Sequence, residues 1–214
     1  PIVAALRSSG IPAVLFNRTI DKTDFSSVVP DDALGSQLAV EHLHALGHRK
    51  LGLIVGPVFT STADARLRAV RRAVKKLDMQ CHVVEAVGFD ETAGRTAMEQ
   101  MIRESPDVTA VIAGNDLIAV GVIDAAREVG MNCPQDISVV GFNNMPLAGR
   151  LDPPLTTVNV PEYELGRLAA QCLLREMANP RRTREHIVIP VNLVVRGSTA
   201  PVGRRTSSLR GEKA

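Results

Sequence analysis

Short, continuous apolar runs alternate along this chain with longer segments in which apolar positions recur every three or four residues. The runs "PAVLFN" (12–17), "KLGLIVG" (50–56), "CHVVEAV" (81–87), "VTAVIAG" (108–114) and "DISVVGF" (136–142) predict strands buried on both faces. The periodic segments at 31–47, 61–77, 90–104, 115–130 and 161–179 predict amphipathic helices. Gly47 and Gly130 stop two of them, Asp90 caps a third, and Pro161 stands at or near the first turn of the last. "HIVIPVNLVVR" (186–196) reads as two β runs split by Pro190. Strand and helix in strict alternation, joined by short loops, imply parallel sheets flanked by helices, an α/β fold. Such sheets bind ligands beyond the carboxyl ends of their strands. Those ends carry Asn17, Gly56, Gly88-Phe89-Asp90, Gly114-Asn115-Asp116 and the amide pair Asn143-Asn144.

Composition narrows this picture. The 214 residues are long enough for one domain or two small ones. An apolar fraction of 45% and a charged fraction of 22% are those of a water-soluble globular chain. A net charge of +2 makes the chain no nucleic-acid magnet, and part of it sits in a polar tail from Pro201 that is expected to be disordered. Three widely spaced cysteines read as reduced thiols of a cytoplasmic protein. No apolar run is long enough to span a bilayer, so no membrane partner is expected.

Five phrases carry a family resemblance. "HLHALGHRKLGLIVGP", "TAVIAGNDLIAVGVIDAAREVG", "CPQDISVVGFNN", "DPPLTTVNVPEYELGRLAAQCLL" and "PVNLVVRGST", in this order, resemble the effector-binding domain of lactose-repressor/purine-repressor transcription regulators. The resemblance runs from about Ile11 to about Ser198 and implies a type I periplasmic-binding-protein-like fold. Two subdomains are expected, with the N-terminal one incomplete: 1–29 with 161–188, and 30–160 with 189–199, followed by the 200–214 tail. Three crossovers are expected near 28–31, 159–162 and 188–191. The resemblance also implies a homodimer, a small sugar-like effector in the cleft, and DNA binding through an N-terminal helix-turn-helix that this chain lacks. An incomplete subdomain is expected to expose a sheet edge and apolar surface.

It likewise points to residues. Arg68 stands where relatives place a ligand-gripping arginine, and a guanidinium fork suits paired hydroxyls or a carboxylate; the plain alternative is an exposed helix arginine. Asn115 is expected to meet ligand and Asp116 to be mainly structural, although either residue could simply cap the helix. Asn143 and Asn17 stand where relatives usually have Asp. Arg71 and Arg72 replace a usual Gly and aromatic. Two lost carboxylates and two added cations suggest a sugar acid or phosphosugar rather than a neutral sugar. Against this, Arg71, Arg72, Lys75 and Lys76 also make sense as a solvated helix face. Phe89 is expected either to cover the ligand's apolar face or to pack in the core. Ser61, Thr62 and Asp64 form a polar helix start behind a loop longer than in relatives.

His42, His44 and His48 do not form a metal site by spacing, because 42 and 44 cannot share a helix face and 44 and 48 straddle the Gly47 stop. No dinucleotide fingerprint, Walker loop, nucleophile elbow or zincin motif is present, so no cofactor and no catalysis are expected. The competing binding function is a periplasmic sugar-binding protein of the same fold. "GHRK" and "VVRGST" favour the regulator.

Overall fold

The computed structural model describes residues 2–20, 25–179 and 183–203. Its elements run α1 (Ile2–Ser9), β1 (Val14–Phe16), β2 (Ser26–Pro30), α2 (Asp32–Ala45), β3 (Lys50–Val55), α3 (Ser61–Lys76), β4 (Gln80–Glu85) and α4 (Glu91–Glu104). There follow β5 (Ala110–Ala113), α5 (Asp116–Glu128), β6 (Ser138–Asn143), β7 (Thr156–Asn159), α6 (Glu162–Ala178), β8 (His186–Ile189) and β9 (Asn192–Val194). They build two sheets, one ordered β1-β2-β8 and one ordered β4-β3-β5-β6-β7-β9. All pairings are parallel except β7 with β9. The chain passes between the sheets three times: from β2 into α2, from β7 into α6, and from β8 into β9.

Strand alternation sorts the core of the larger sheet into two layers. Leu51, Leu53, Val55, Ile112, Val140 and Phe142 face Val40, Leu43, Val70 and Val74 of α2 and α3. Ile54, Val111, Ala113 and Val139 face Met98, Met101, Ile118 and Val122 of α4 and α5. In β3, β5 and β6 residues on both faces are buried, so these strands read as unbroken apolar runs; β4 and β1, expected to be buried on both faces, lie at sheet edges and are only partly buried. On the second layer α4 and α5 cross at reciprocal glycines. A Cβ on Gly121 would stand 2.0 Å from the Glu91 carbonyl oxygen, and one on Gly94 2.4 Å from that of Ile118.

The smaller sheet is covered by α6, whose Leu165 and Cys172 are buried. Its strand β2 has no run that announces it. Ser26 and Ser27 are buried polar residues, made tolerable by side-chain bonds to Glu176 on α6 and to His186 on β8. β1 is an edge strand, and Phe16 on it and Val188 on β8 remain 49% and 57% exposed. Among the described residues no helix is long and apolar enough to cross a membrane.

The segment 198–202 is strapped beneath the larger sheet. Val202 N–H donates to Leu46 O (2.9 Å), Ala200 N–H to Ser138 Oγ (3.1 Å), and His42 Nε2 pairs with Thr199 Oγ1 (2.9 Å). The tail expected from residue 200 therefore has an anchored beginning, and residues 204–214 lie outside the described residues. Buried His48 meets Ala200 O through Nε2 (3.1 Å) and Thr109 Oγ1 through Nδ1 (2.9 Å). The carbonyl can only accept, so Nε2 carries the proton and Nδ1 accepts from the hydroxyl. Burial lowers the His48 pKa, His42 and Arg49 push it the same way, and the Ala200 bond opposes them. Burial lowers His42 as well. Both groups thus bind protons more weakly folded than unfolded. Stability is full above about pH 6.5 and falls as pH drops below that value. Urea unfolding from pH 8 to pH 5 should show this decline, and His48→Gln should flatten it. An unchanged slope in that variant would remove His48 as its source.

Candidate functional site

Several loops after parallel strands touch one another. Gly114 N–H donates to Ile54 O (2.7 Å), and a Cβ on Gly114 would stand 3.0 Å from Gly56 N, so the turns after β3 and β5 are in contact. Phe89, after β4, lies against Gly56, where a Cβ would fall 2.2 Å from its ring. Asn115 is buried at the start of α5. Its side-chain oxygen accepts from Ile118 N–H (2.7 Å) as the helix cap, and its amide donates to Phe89 O (2.8 Å). Asn115 therefore caps a helix and at the same time holds the loop that carries Phe89.

The turn after β1 reaches this cluster from the other sheet. Asn17 ends β1 with φ +56°, a left-handed conformation that Asn tolerates better than most residues. The next residue, Arg18, sets its guanidinium 5.3 Å from the Phe89 ring centroid and donates to Thr62 Oγ1 (3.2 Å). Thr19 N–H donates to Ser61 Oγ (2.9 Å). Asn17, Ser61, Thr62, Phe89 and Asn115 are thus linked by consecutive contacts. On the next turns of α3, Asp64 and Arg68 pair at 2.5 Å, with Arg68 mostly exposed.

The two amides ending β6 have different roles. Asn144 (φ +57°) is locked: it donates to Asn159 Oδ1 (2.9 Å) and accepts from Arg196 (2.7 Å). Asn143 (φ +106°) is half-buried, its carbonyl accepts from Val160 N–H, and its side chain makes no hydrogen bond to any described residue. Asp116 is fully buried. It accepts from Thr157 Oγ1 and Met145 N–H, each at 2.6 Å, and so ties α5 to the turn after β6. Burial raises its pKa, while those hydrogen bonds pull it back.

Arg71 and Arg72 lie farther down α3. Arg71 is near enough to Cys81 on β4 to oppose the burial that pushes that thiol up to about 11. Arg72 and Lys76 line a groove between α2 and α3 with Asp31 and Glu41.

Arg66, like Arg18, is not anticipated from the sequence. It is 7% exposed, its Nε donates to Asp32 Oδ1 (2.7 Å), its Nη1 donates to Gly114 O (2.5 Å), and its guanidinium lies 3.5 Å from the Phe142 ring centroid. One side chain thereby joins the first crossover, the Asn115 turn and the residue before Asn143. Burial lowers the Arg66 pKa and raises that of Asp32, and each partner opposes the other's shift. The signal was present: 62, 66, 69 and 73 share the buried face of α3, so an arginine in that register needs a buried acceptor.

Comparison with known proteins adds the context. The family model of the periplasmic binding protein-like domain matches residues 40–199. The chain is 36% identical over 201 residues to the HTH-type transcriptional regulator MalR of Streptomyces coelicolor, spanning 91% of this chain and 58% of that protein. It is 36% identical over 194 residues to the transcriptional repressor PurR of Edwardsiella ictaluri, spanning 89% and 57%. The chain thus spans a little over half the length of these relatives. Among solved structures, a LacI family regulator from Enterococcus faecium with bound ribose superposes with a TM-score of 0.85 at 28% identity, covering 94% of this chain and 75% of that one. A complex of the regulator CelR with cellobiose gives 0.86 at 29%, covering 90% and 60%.

Proposed function

This chain belongs to the periplasmic-binding-protein-like family as carried by lactose-repressor-type regulators, and on that premise we propose that it is the effector-sensing part of such a regulator. The effector is a small hydroxyl-rich molecule held between the two sheets. Binding shifts the balance between angles of the two halves, and the shift is read by a DNA-binding helix-turn-helix outside this chain, in a homodimer. The observation that carries this reading is the set of contacts from Arg18 and Thr19 to Ser61, Thr62 and Phe89, which joins the turn after β1 to the loops after β3 and β4. The ribose and cellobiose in similar structures favour a sugar-like ligand, and the relatives named above are transcriptional regulators, which favours the regulator over the periplasmic reading.

Arg68 and the unengaged Asn143 side chain are the polar groups we assign to ligand; Asn115 acts through Phe89. A thermal-shift panel of neutral, acidic and phosphorylated sugars, followed by calorimetry on the best binder, tests this. Arg68→Ala and Asn143→Ala should each weaken binding about 10-fold or more, the loss of a hydrogen bond worth roughly 1.5 kcal/mol. Arg72→Ala, on the α2–α3 groove, should change it less than about twofold. Full affinity in both of the first two variants would place the ligand elsewhere.

A further inference from the structure

We propose that the effector is an anionic sugar and that Arg18 is the residue that selects for its carboxylate or phosphate, an inference that rests on the effector-sensing reading above. It starts from what the groups around the joined loops are already doing. Every carboxylate named there already has at least one partner. Asp32 is held by Arg66 (2.7 Å), Asp64 by Arg68 (2.5 Å) and Glu85 by Val58 N–H (2.8 Å). Asp90 is held by Ala93 N–H (2.9 Å), and Asp116 by Thr157 and Met145. Two of the three arginines there already have an acidic partner, Arg66 in the interior and Arg68 at the surface, where a ligand can share it. Arg18 is different. Among the described residues it makes no ion pair, and its one hydrogen bond goes to a neutral hydroxyl.

A guanidinium has five N–H donors in a rigid fork, and Arg18 spends one of them. The Phe89 ring beneath it and the Thr62 bond beside it hold the fork in place without neutralising it. Arg18 is therefore a preplaced cation beside the Arg68 and Asn143 groups assigned to ligand, and among the described residues the carboxylates around it already have partners. A neutral sugar would leave the fork without a charged partner. A carboxylate or phosphate meets it with paired, charge-assisted bonds. Arg18 also replaces Arg71 and Arg72 as the structural basis for an acidic ligand, since those two lie farther down α3 and one of them lines a different groove.

Calorimetry at low salt with D-glucose, D-gluconate and D-glucose 6-phosphate, on the wild-type chain and on Arg18→Gln and Arg18→Lys, tests the inference. Arg18 is exposed, so both variants should fold, which thermal melting checks. The wild type should prefer at least one anionic probe to glucose by about 10-fold or more, and the two anionic arms separate carboxylate from phosphate. Arg18→Gln should lose that preference, whatever its effect on glucose affinity, whereas Arg72→Ala, on the α2–α3 groove, should keep it. Arg18→Lys should keep part of it, as a charge without the fork. Tighter binding of glucose than of either anion overturns the inference and leaves the effector-sensing reading standing. An anion preference unchanged in Arg18→Gln removes Arg18 from the role. Binding of no probe, here and across the wider sugar panel, overturns the functional reading itself.

Discussion

Gly121→Ala should destabilise the protein by about 3 kcal/mol, while the same change at Gly166 should stabilise it by about 0.4–1 kcal/mol. Both glycines sit inside helices, so both gain the same helix propensity and lose the same unfolded-state freedom. What differs is the space around them. Around Gly166 nothing comes within 4 Å of an added Cβ. At Gly121 the methyl would meet the Glu91 carbonyl oxygen at 2.0 Å and the Arg95 nitrogen at 2.5 Å, and neither backbone atom can rotate away. α4 and α5 must then separate. They begin immediately after Phe89-Asp90 and at Asn115-Asp116, so separation also strains the Asn115–Phe89 bond. Urea unfolding midpoints at constant m-value measure the first effect, and calorimetry measures the loss of effector affinity. Equal stabilities for the two variants would show that the helix crossing is looser than described.

The second large effect concerns Arg66. Removing one member of a buried ion pair leaves the other charge without a partner in a dry interior, so Arg66→Met should cost about 3–5 kcal/mol. Asp32→Leu should cost a comparable amount, because it strands the guanidinium. The double variant Asp32→Leu/Arg66→Met should recover most of the loss, since two well-packed apolar residues replace a pair whose desolvation is expensive. A double-variant cost equal to the sum of the singles would contradict this coupling. Effector binding should not recover with stability. The double variant still lacks the donor to Gly114 O and the guanidinium against Phe142, which position the turns carrying Asn115 and Asn143. Stability restored together with full affinity would reduce Arg66 to a packing role.

Much of this architecture was legible in the chain because burial writes itself into sequence. The central strands β3, β5 and β6 are apolar on both faces and the helices on one, so these strands and the five long helices are legible, and β4, at the edge with Gln80, His82 and Glu85, is legible only by its Val83-Val84 core. β2 is not legible, because Ser26 and Ser27 occupy buried positions through partners far away in sequence, Glu176 and His186. α1 went unassigned, and the antiparallel entry of β9 depends on pairing with β7, which periodicity cannot reveal. Among the candidate site residues, Asp116 was read as structural, and its bonds to Thr157 and Met145 are of that kind. Arg66 is hard to read because its partners, Asp32 and Gly114, are distant in sequence, and only its place in the apolar register of α3 marks it. Arg18 escaped because nothing local marks it. Its meaning comes from Phe89 and Thr62, on loops of the other sheet.

The threefold passage of the chain between sheets has a mechanical consequence. Asp31 N–H donates to Ile189 O (2.8 Å), so the first passage is bonded to the third, and β7 and β9 lie side by side where the second leaves and the third arrives. A single tether would let two bodies twist, slide and drift. Parallel straps fastened to one another resist translation and torsion together, and leave a pivot about one line as the soft motion, like a door on its post. On the proposed function, an effector that wedges or draws shut such a door would convert its binding into one defined swing.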